Sequence, residues 1–464
     1  MHGPPRILHA IHDFLPRHAA GSEIYAFNLC RELSRRHVVH LLAAEYDPAR
    51  PHGTLTWRVH EGLPVVELVN NWEARSFSDT WRSPRIDGQL AEVLRATGPD
   101  VLHVHSLLNL SFGLPAIARA RGSAVVATLH DHTLTCPAGG QRLHVVDDTV
   151  CETIDAARCA SCFARSPFHA QMSVAAVGRL AGPAGGRLAT LAQRAARVVP
   201  RLAASVARGA VARRVAPVSA EEIAERLAAL RHVFDAVDLF VAPSEAVAQE
   251  HVRMGLPEGK VVVSDYGFPG RAGRATPKPS STPGHPLRIG FVGTLVRHKG
   301  VHLLLEAARA WPAGRFEVEI HGSLDTFPEY TARLSRLAEG LPVRFRGPFD
   351  PEAGSDVYAR FDLLVVPSTW PENSPLVIHE AFMAGVPVAA AAIGGIPGLV
   401  ADGVNGVLFE AGSAASLASA VRPFVEDPSR LEALAARLPA VKTIDEDARE
   451  WEARYEAAVA RRRA

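Results

Sequence analysis

The sequence predicts an α/β protein made of two doubly wound parallel-sheet domains facing a central cleft. Three observations carry this. Short apolar runs alternate with segments of helical periodicity along most of the chain. One aperiodic stretch, residues 267–286, is dense in Gly, Pro and Ser and interrupts that alternation. The 464 residues are enough for two large units with sizeable cores.

The elements follow in order. Residues 6–11 (RILHAI) form an apolar run, 22–36 place Ile24, Phe27, Leu29 and Leu33 at helical spacing, and 38–44 are apolar again, giving a β-α-β unit. Strand signals at 64–69, 101–105 and 124–129 alternate with helical ones at 87–96 and 114–121. The alternation resumes with helices at 221–234 and 245–254 and strands at 239–242 and 261–264. Beyond the linker, strands are expected at 287–292, 316–321, 343–345, 363–366, 386–391 and 406–409, with helices including 303–310 and 330–338. The expected division is a first domain at 1–267, a linker at 268–286 and a second domain at 287–435. A terminal helix, 436–464, is expected to pack back on the first domain. In such Rossmann-like folds ligands sit at the carboxyl ends of the strands.

Composition narrows the function classes. Fifty Lys and Arg face 49 Asp and Glu, a net charge of +1, which argues against a general nucleic-acid coat. Hydrophobic residues at 47% and charged ones at 21% are ordinary globular values. Five cysteines are too few for a disulfide scaffold of this length. No run has the length and apolarity of a spanning helix, and residues 1–10 lack a leader's apolar core and cleavage site. The default address is the cytoplasm.

Chemistry concentrates at residues 371–383, PENSPLVIHEAFM. Ser374 is placed to cap a helix, Pro375 fits its first turn and Gly385 can end it. Backbone N–H groups at that start, with the helix dipole, suit a phosphate. Glu372 lies just before the cap. Glu380 lies among Val377, Ile378, Ala381 and Phe382, where a carboxylate needs good hydrogen bonds, such as those from a pair of sugar hydroxyls. There is no GxxxxGK[ST] loop and no GxGxxG after a strand, and the spacing in Gly394–Gly395–Ile396–Pro397–Gly398 is wrong for a dinucleotide loop.

The E-x7-E spacing of Glu372 and Glu380 resembles that of the retaining glycosyltransferase family 4, which has the two-Rossmann GT-B architecture. The resemblance extends in order through FVGTLVRHKG (291–300), FDLLVVP (361–367), AGVPV (384–388), GGIP (394–397) and DGVNG (402–406), with VAPS (241–244) and GLP (255–257) closing the first domain. It covers most of the chain outside roughly 140–220. The chain carries Thr294 where the family often has Arg, and Gly398 where it usually has Glu.

The resemblance implies roles. Lys299 would bind the donor diphosphate, with Gly293, Thr294 and Arg297 in the same turn. Glu380 would hold the ribose hydroxyls and Glu372 the transferred sugar. The amides of Asn373, Ser374, Pro375, Leu376 and Val377 would line phosphate and sugar, Pro375 itself having no N–H. In the first domain, Gly21 and Ser22 open a helix after the first strand and would face acceptor and phosphate. His130, in ATLHDH (127–132), matches the family's active-site histidine and would contact or polarise the donor; His103 and His105 read more simply as core or rim residues. The implied catalytic pair is thus His130 and Glu372. The departing diphosphate would be stabilised by Lys299, Arg297 and the helix start with no cofactor required, since no Asp-x-Asp stands at a strand end.

Two further concentrations stand apart. Cys136, Cys151, Cys159 and Cys162 are spaced C-x14-C-x7-C-x2-C, which points to a structural tetrahedral zinc, with an iron–sulfur cluster or free or disulfide-bonded thiols as alternatives. This loop, 136–162, precedes a basic helical insertion, 163–217. Residues 156–220 hold ten Arg and no Asp or Glu. A basic amphipathic surface fits peripheral docking on anionic lipids at the inner face of the cytoplasmic membrane; without interleaved aromatics it does not suggest nucleic acid.

The sequence reading is therefore a retaining glycosyltransferase. It moves a sugar from a nucleotide-diphosphate-sugar to a glycan or lipid-linked acceptor in cell-surface polysaccharide or glycolipid synthesis. The alternatives are a nucleotide-sugar epimerase of the same architecture, and a zinc-ribbon nucleic-acid-binding protein.

Overall fold

The computed structural model describes residues 5–47, 49–74, 76–147, 149–172, 217–270, 285–348 and 357–463. Residues 173–216 of the expected basic insertion 163–217, and 271–284 of the expected linker 268–286, lie outside the described residues. The chain divides into two compact units. The first comprises Met1–Pro243, Val247–Gly267 and Ile444–Ala464; the second comprises Ser244–Ala246 and Phe268–Thr443.

The first unit is built on an eight-stranded sheet. Its strands are β1 (Arg6–His12), β2 (Val38–Glu45), β3 (Leu55–His60), β4 (Leu63–Val69), β5 (Val101–Val104) and β6 (Ala124–Thr128), followed, after the short hairpin β7 (Leu143–His144) and β8 (Thr149–Val150), by β9 (Leu239–Ala242) and β10 (Val261–Val263). The order is β10-β9-β6-β5-β1-β2-β4-β3. All pairs are parallel except β3 with β4, which are joined through Glu61 and Gly62, both at positive φ, as a two-residue hairpin requires. The sequence reading did not include β3. Its Trp57 and Val59 are exposed at the sheet edge, so the strand lacks a continuous apolar signal. The central strands β5, β6 and β9 are buried throughout, as a parallel sheet covered on both faces demands.

The final helix, Ile444–Arg463, belongs to this unit. It buries Ala448, Trp451, Tyr455 and Ala458, a single stripe at helical spacing on an otherwise polar helix. Trp451 Nε1 donates to the Tyr25 hydroxyl, which donates to Asp447. The expected terminal helix at 436–464 starts later than the sequence suggested. Leu438 instead joins the core of the second unit.

The second unit has six parallel strands: β11 (Leu287–Val292), β12 (Phe316–His321), β13 (Val343–Gly347), β14 (Leu363–Val366), β15 (Val388–Ala391) and β16 (Gly406–Phe409). Their order, β13-β12-β11-β14-β15-β16, is the 3-2-1-4-5-6 winding of a Rossmann-like domain. It reverses between β11 and β14, so the loops after those two strands emerge side by side.

Gly300 ties these loops together. It has φ +73°, and a β-carbon there would overlap the Pro367 carbonyl oxygen that follows β14. Gly300→Ala is expected to destabilise the second unit by about 3 kcal/mol, from backbone strain and overlap together. Hydrogen exchange should then show reduced protection in peptides from β11 and β14; unchanged protection would contradict this account.

Candidate functional site

At the reversal point of the second unit, the loop after β11 brings Lys299 to the segment after β14. Lys299 Nζ lies 2.7 Å from Glu372 Oε1, which also accepts from the Ser368 hydroxyl at 2.6 Å. The ammonium lies 5.1 Å from the centre of the Trp370 ring, within cation–π range. Glu372 is buried and Lys299 part-buried, so the ion pair is only partly screened by solvent. Arg297 and Thr294 sit exposed in the same turn, and Gly293 has φ +152°.

The glutamate motif leads into the helix Leu376–Met383. Ser374 does not cap it, contrary to expectation. Its hydroxyl lies 3.0 Å from His379 Nε2, and Pro375 holds the cap position without a side-chain bond. The intrahelical bonds begin with the Ile378 amide donating to the Pro375 carbonyl, so Leu376 and Val377 present amides ahead of the first turn. The helix ends at Gly385, with φ +76°, as read from the sequence. Gly394 and Gly395 pack on this segment: the Gly395 amide donates to the Glu372 carbonyl, and β-carbons at either glycine would overlap the backbone of Glu372 or Asn373.

Glu380 points from this helix toward Tyr358, whose hydroxyl donates to Oε2 at 2.5 Å. Burial raises the Glu380 carboxyl above the usual range, and the Tyr358 hydrogen bond only partly opposes this. The second carboxylate oxygen has no partner among the described residues. A pair of ligand hydroxyls would supply one. Tyr358 and Ser368 escaped sequence reasoning because nothing in their local pattern marks them.

In the first unit, Gly21 opens the helix Gly21–Leu33, and Ala20 is its cap. Ser22 does not cap as expected, because its hydroxyl donates to its neighbour Glu23 at 3.1 Å. Glu23 is buried, 3.5 Å from His12 Nε2. His130, just past β6, is buried with both ring nitrogens engaged: Nε2 lies 2.8 Å from His105 Nδ1, and Nδ1 lies 2.9 Å from the Tyr266 hydroxyl. His105 Nε2 lies 2.9 Å from His9 Nδ1. His103 stands beside this chain, bonded to Tyr455 and Thr128. Sequence reasoning missed His9 and Tyr266. A histidine inside an otherwise apolar strand is the signal that could have found His9.

Cys136, Cys151, Cys159 and Cys162 line one pocket. Cys159 and Cys162 share the helix Ala156–Phe163, and Cys151 follows β8. Their sulfurs are not drawn to mutual ligand distance. Among the described residues, only His9, His103 and His105 form a trio of potential ligands within 4.8 Å. The donor set nevertheless suits zinc: four thiols around one cavity, with the Val145 amide donating to Cys162 Sγ at 3.5 Å. Burial, then the neighbouring cysteines, push the Cys159 thiol up to about 12, the cost a bound cation would relieve.

Two units with Rossmann-like parallel sheets place the chain in the GT-B class of α/β proteins. Known proteins agree. Residues 19–178 match the family described as Glycosyltransferase Family 4, and residues 274–445 match Glycosyl transferases group 1. The chain therefore carries a family 4-like and a group 1 glycosyltransferase domain. It is 35% identical over 190 residues to D-inositol 3-phosphate glycosyltransferase of Corynebacterium aurimucosum, which covers 38% of this chain and 45% of that protein. It is 28% identical over 383 residues to D-inositol 3-phosphate glycosyltransferase 1 of Catenulispora acidiphila, covering 80% and 77%. The chain thus spans less than half the length of the first of these relatives. The solved structure of Anabaena HepE in complex with UDP and glucose shares the fold, with a TM-score of 0.60 at 17% identity over 97% of this chain and 100% of that one. Among the described residues no helix is long and apolar enough to cross a membrane.

The buried histidines make a pH prediction. Burial lowers His9, His130 and His132 to about 3, so they are neutral in the fold. An unfolded histidine titrates near 6.5. Between those values the unfolded chain binds protons that the folded one refuses, so stability is lost as pH falls from about 6.5 toward 3, by about 1.4 kcal/mol per pH unit for each histidine. Urea unfolding of the first unit at pH 7, 6 and 5 checks this; a flat response would contradict it.

Proposed function

We propose that this chain is a retaining glycosyltransferase. It takes a sugar from a nucleotide-diphosphate-sugar and passes it to a glycan or lipid-linked acceptor in cell-surface polysaccharide or glycolipid synthesis. The observation that carries this reading is the pairing of Lys299 with Glu372 at the reversal point of the second unit, with Glu380 one helix turn and more beyond, its other oxygen without a partner among the described residues. On this reading the diphosphate takes Lys299, the amides of Leu376 and Val377 and the exposed Arg297 as its positive surroundings, so that negative charge developing on the leaving group is met by groups already in place. Glu380 accepts from the ribose hydroxyls and Glu372 from the transferred sugar. His130 and the Gly21–Ser22 turn serve the other substrate and the reacting sugar from the first unit. The HepE structure was solved with UDP, and the curated relatives are named for inositol phosphate glycosyl transfer. UDP-sugars are therefore the first donors to try, and inositol phosphates belong among the acceptors. The reading places the protein at the inner face of the cytoplasmic membrane, with residues 163–217 as its contact.

Transfer or slow hydrolysis from a panel of UDP- and GDP-sugars tests the class. Glu380→Ala should weaken donor binding at least about tenfold, as expected for loss of a charge-assisted bond pair. Wild-type affinity in that variant would refute the donor site.

We further propose a structural zinc held by Cys136, Cys151, Cys159 and Cys162, which would fix the loop after His130 and take no part in transfer. Metal analysis of the purified chain should find about one zinc per molecule, lost in Cys159→Ser. Absence of zinc in the wild type would overturn the assignment.

A further inference from the structure

In the first unit the candidate site residues follow the carboxyl ends of the strands. At the opposite, amino ends of β1, β5 and β6 lies a cavity of about 320 Å³. Four arginines line it, each from a separate element: Arg6 at the start of β1, Arg95 in the last turn of the helix Pro84–Thr97, Arg121 just past the helix Leu114–Ala120, and Arg462 in the final helix. Among the described residues Asp100 is the one carboxylate in the lining. Positions 6, 95, 121 and 462 are far apart in the chain, so an arginine-rich composition does not by itself bring them together.

Part of the cluster has a structural reason. Helices of a parallel sheet end beside the amino ends of the strands, and the negative end of a helix dipole attracts a cation. The Arg6 guanidinium lies against Gly98, the left-handed residue (φ +51°) that ends the helix Pro84–Thr97; a β-carbon there would sit 3.0 Å from Nη1. Arg462 Nη2 donates at 3.0 Å to the Arg119 carbonyl, in the last turn of Leu114–Ala120.

The rest of the charge is not spent in this way. Asp100 accepts from the Arg6 backbone amide at 2.9 Å, while Arg6 Nε stands 3.9 Å away, beyond hydrogen-bond range. Arg95 donates twice to Glu92, but that pair is exposed and therefore weak. The Arg121 side chain is exposed and makes no hydrogen bond or ion pair among the described residues, though its charge reaches Glu92. Arg462 Nε is buried without an acceptor. Two carboxylates thus answer four guanidinium groups. The two helix ends, at about half a charge each, reduce the surplus without removing it.

We propose that this cavity binds a phosphate monoester, held chiefly by Arg121 and Arg462, with Arg6 and Arg95 adding charge. A carboxylate offers two oxygens in one plane. A phosphate monoester offers three strong acceptors in three directions, which suits guanidinium forks arriving from separate elements. The volume falls at the small end of ligand pockets, about 300–1,000 Å³, enough for a small phosphorylated molecule or a lipid headgroup. Bound there, the phosphate joins the last turn of the final helix, through Arg462, to the strand starts, through Arg6 and Arg121. The site lies at the end of the sheet away from His130 and does not rest on the transferase reading.

Hydrogen exchange of the full chain, in buffer free of phosphate and sulfate, tests the site. One arm adds glycerol 3-phosphate. The other adds vesicles of phosphatidic acid and phosphatidylcholine in equal parts, with pure phosphatidylcholine as the control. Peptides covering 94–100, 119–124 and 455–463 should gain protection in at least one arm and none in the control. Protection by glycerol 3-phosphate alone identifies a soluble phosphate compound; protection by the vesicles alone identifies a lipid headgroup. Replacing both arginines, Arg121→Gln with Arg462→Gln, should weaken the effect at least about tenfold in ligand concentration, and Arg121→Lys alone, which keeps the charge and loses the fork, should weaken it less. Absence of protection in both arms overturns the proposal. So does equal protection in the double variant, or protection confined to peptides of the second unit such as 293–300, which would instead favour the donor site.

Discussion

Burial of the central strands on both faces is the constraint on which the rest of the structure depends. A strand such as β5 or β14 has no solvent-facing side, so polar chemistry is confined to its ends or must be fully paired inside. In the second unit the constraint is obeyed: Lys299 and Glu372, 73 positions apart, meet beyond the carboxyl ends of β11 and β14. In the first unit it is broken by His9 and His103 within the strands. The consequence is visible in their chemistry. Burial drives both toward the neutral form, and His103 has both nitrogens bonded. A row of buried imidazoles survives because each stays uncharged and nearly every nitrogen finds a partner.

The parallel sheets were legible because double burial writes itself as short continuous apolar runs, and the winding follows from their alternation with helices. Details that depend on competition between partners were not. Ser22 and Ser374 each stand where a capping serine would, yet each hydroxyl is captured by a nearer side chain, Glu23 in one case and His379 in the other. Both hydrogen bonds are local, but the rotamer that makes them is set by the fold. Strand β3 was missed because an edge strand paired on one side can leave Trp57 and Val59 exposed, and so shows no buried pattern.

The candidate site divides in the same way. Lys299, Glu372 and Glu380 were singled out on the resemblance of their motifs, and the structure brings Lys299 and Glu372 together. Tyr358, Ser368 and Tyr266 were not, since each reaches its partner from a segment with its own local logic. The cysteines lie between these cases. Their sequence crowding does translate into one shared pocket, but the sulfurs stop short of a closed ligand set. Sequence spacing brought the donors to one place without fixing their coordination geometry.

The Lys299–Glu372 pair also bears on how the proposed donor site would work. The ammonium that would meet a diphosphate is already neutralised by a buried carboxylate, itself held by Ser368. On the proposed reading an incoming diphosphate competes for Lys299, and Glu372, no longer paired with it, becomes available to a sugar hydroxyl while Ser368 retains it. Cation and carboxylate thus act as one unit. Removing Lys299 would do more than delete a phosphate contact, because it would strand Glu372 in a buried position with a single hydroxyl partner. A loss of stability in a Lys299 variant would therefore be a property of the pair. Glu380, which has no ion-pair partner among the described residues, is the residue whose removal would report on the proposed donor binding without that complication.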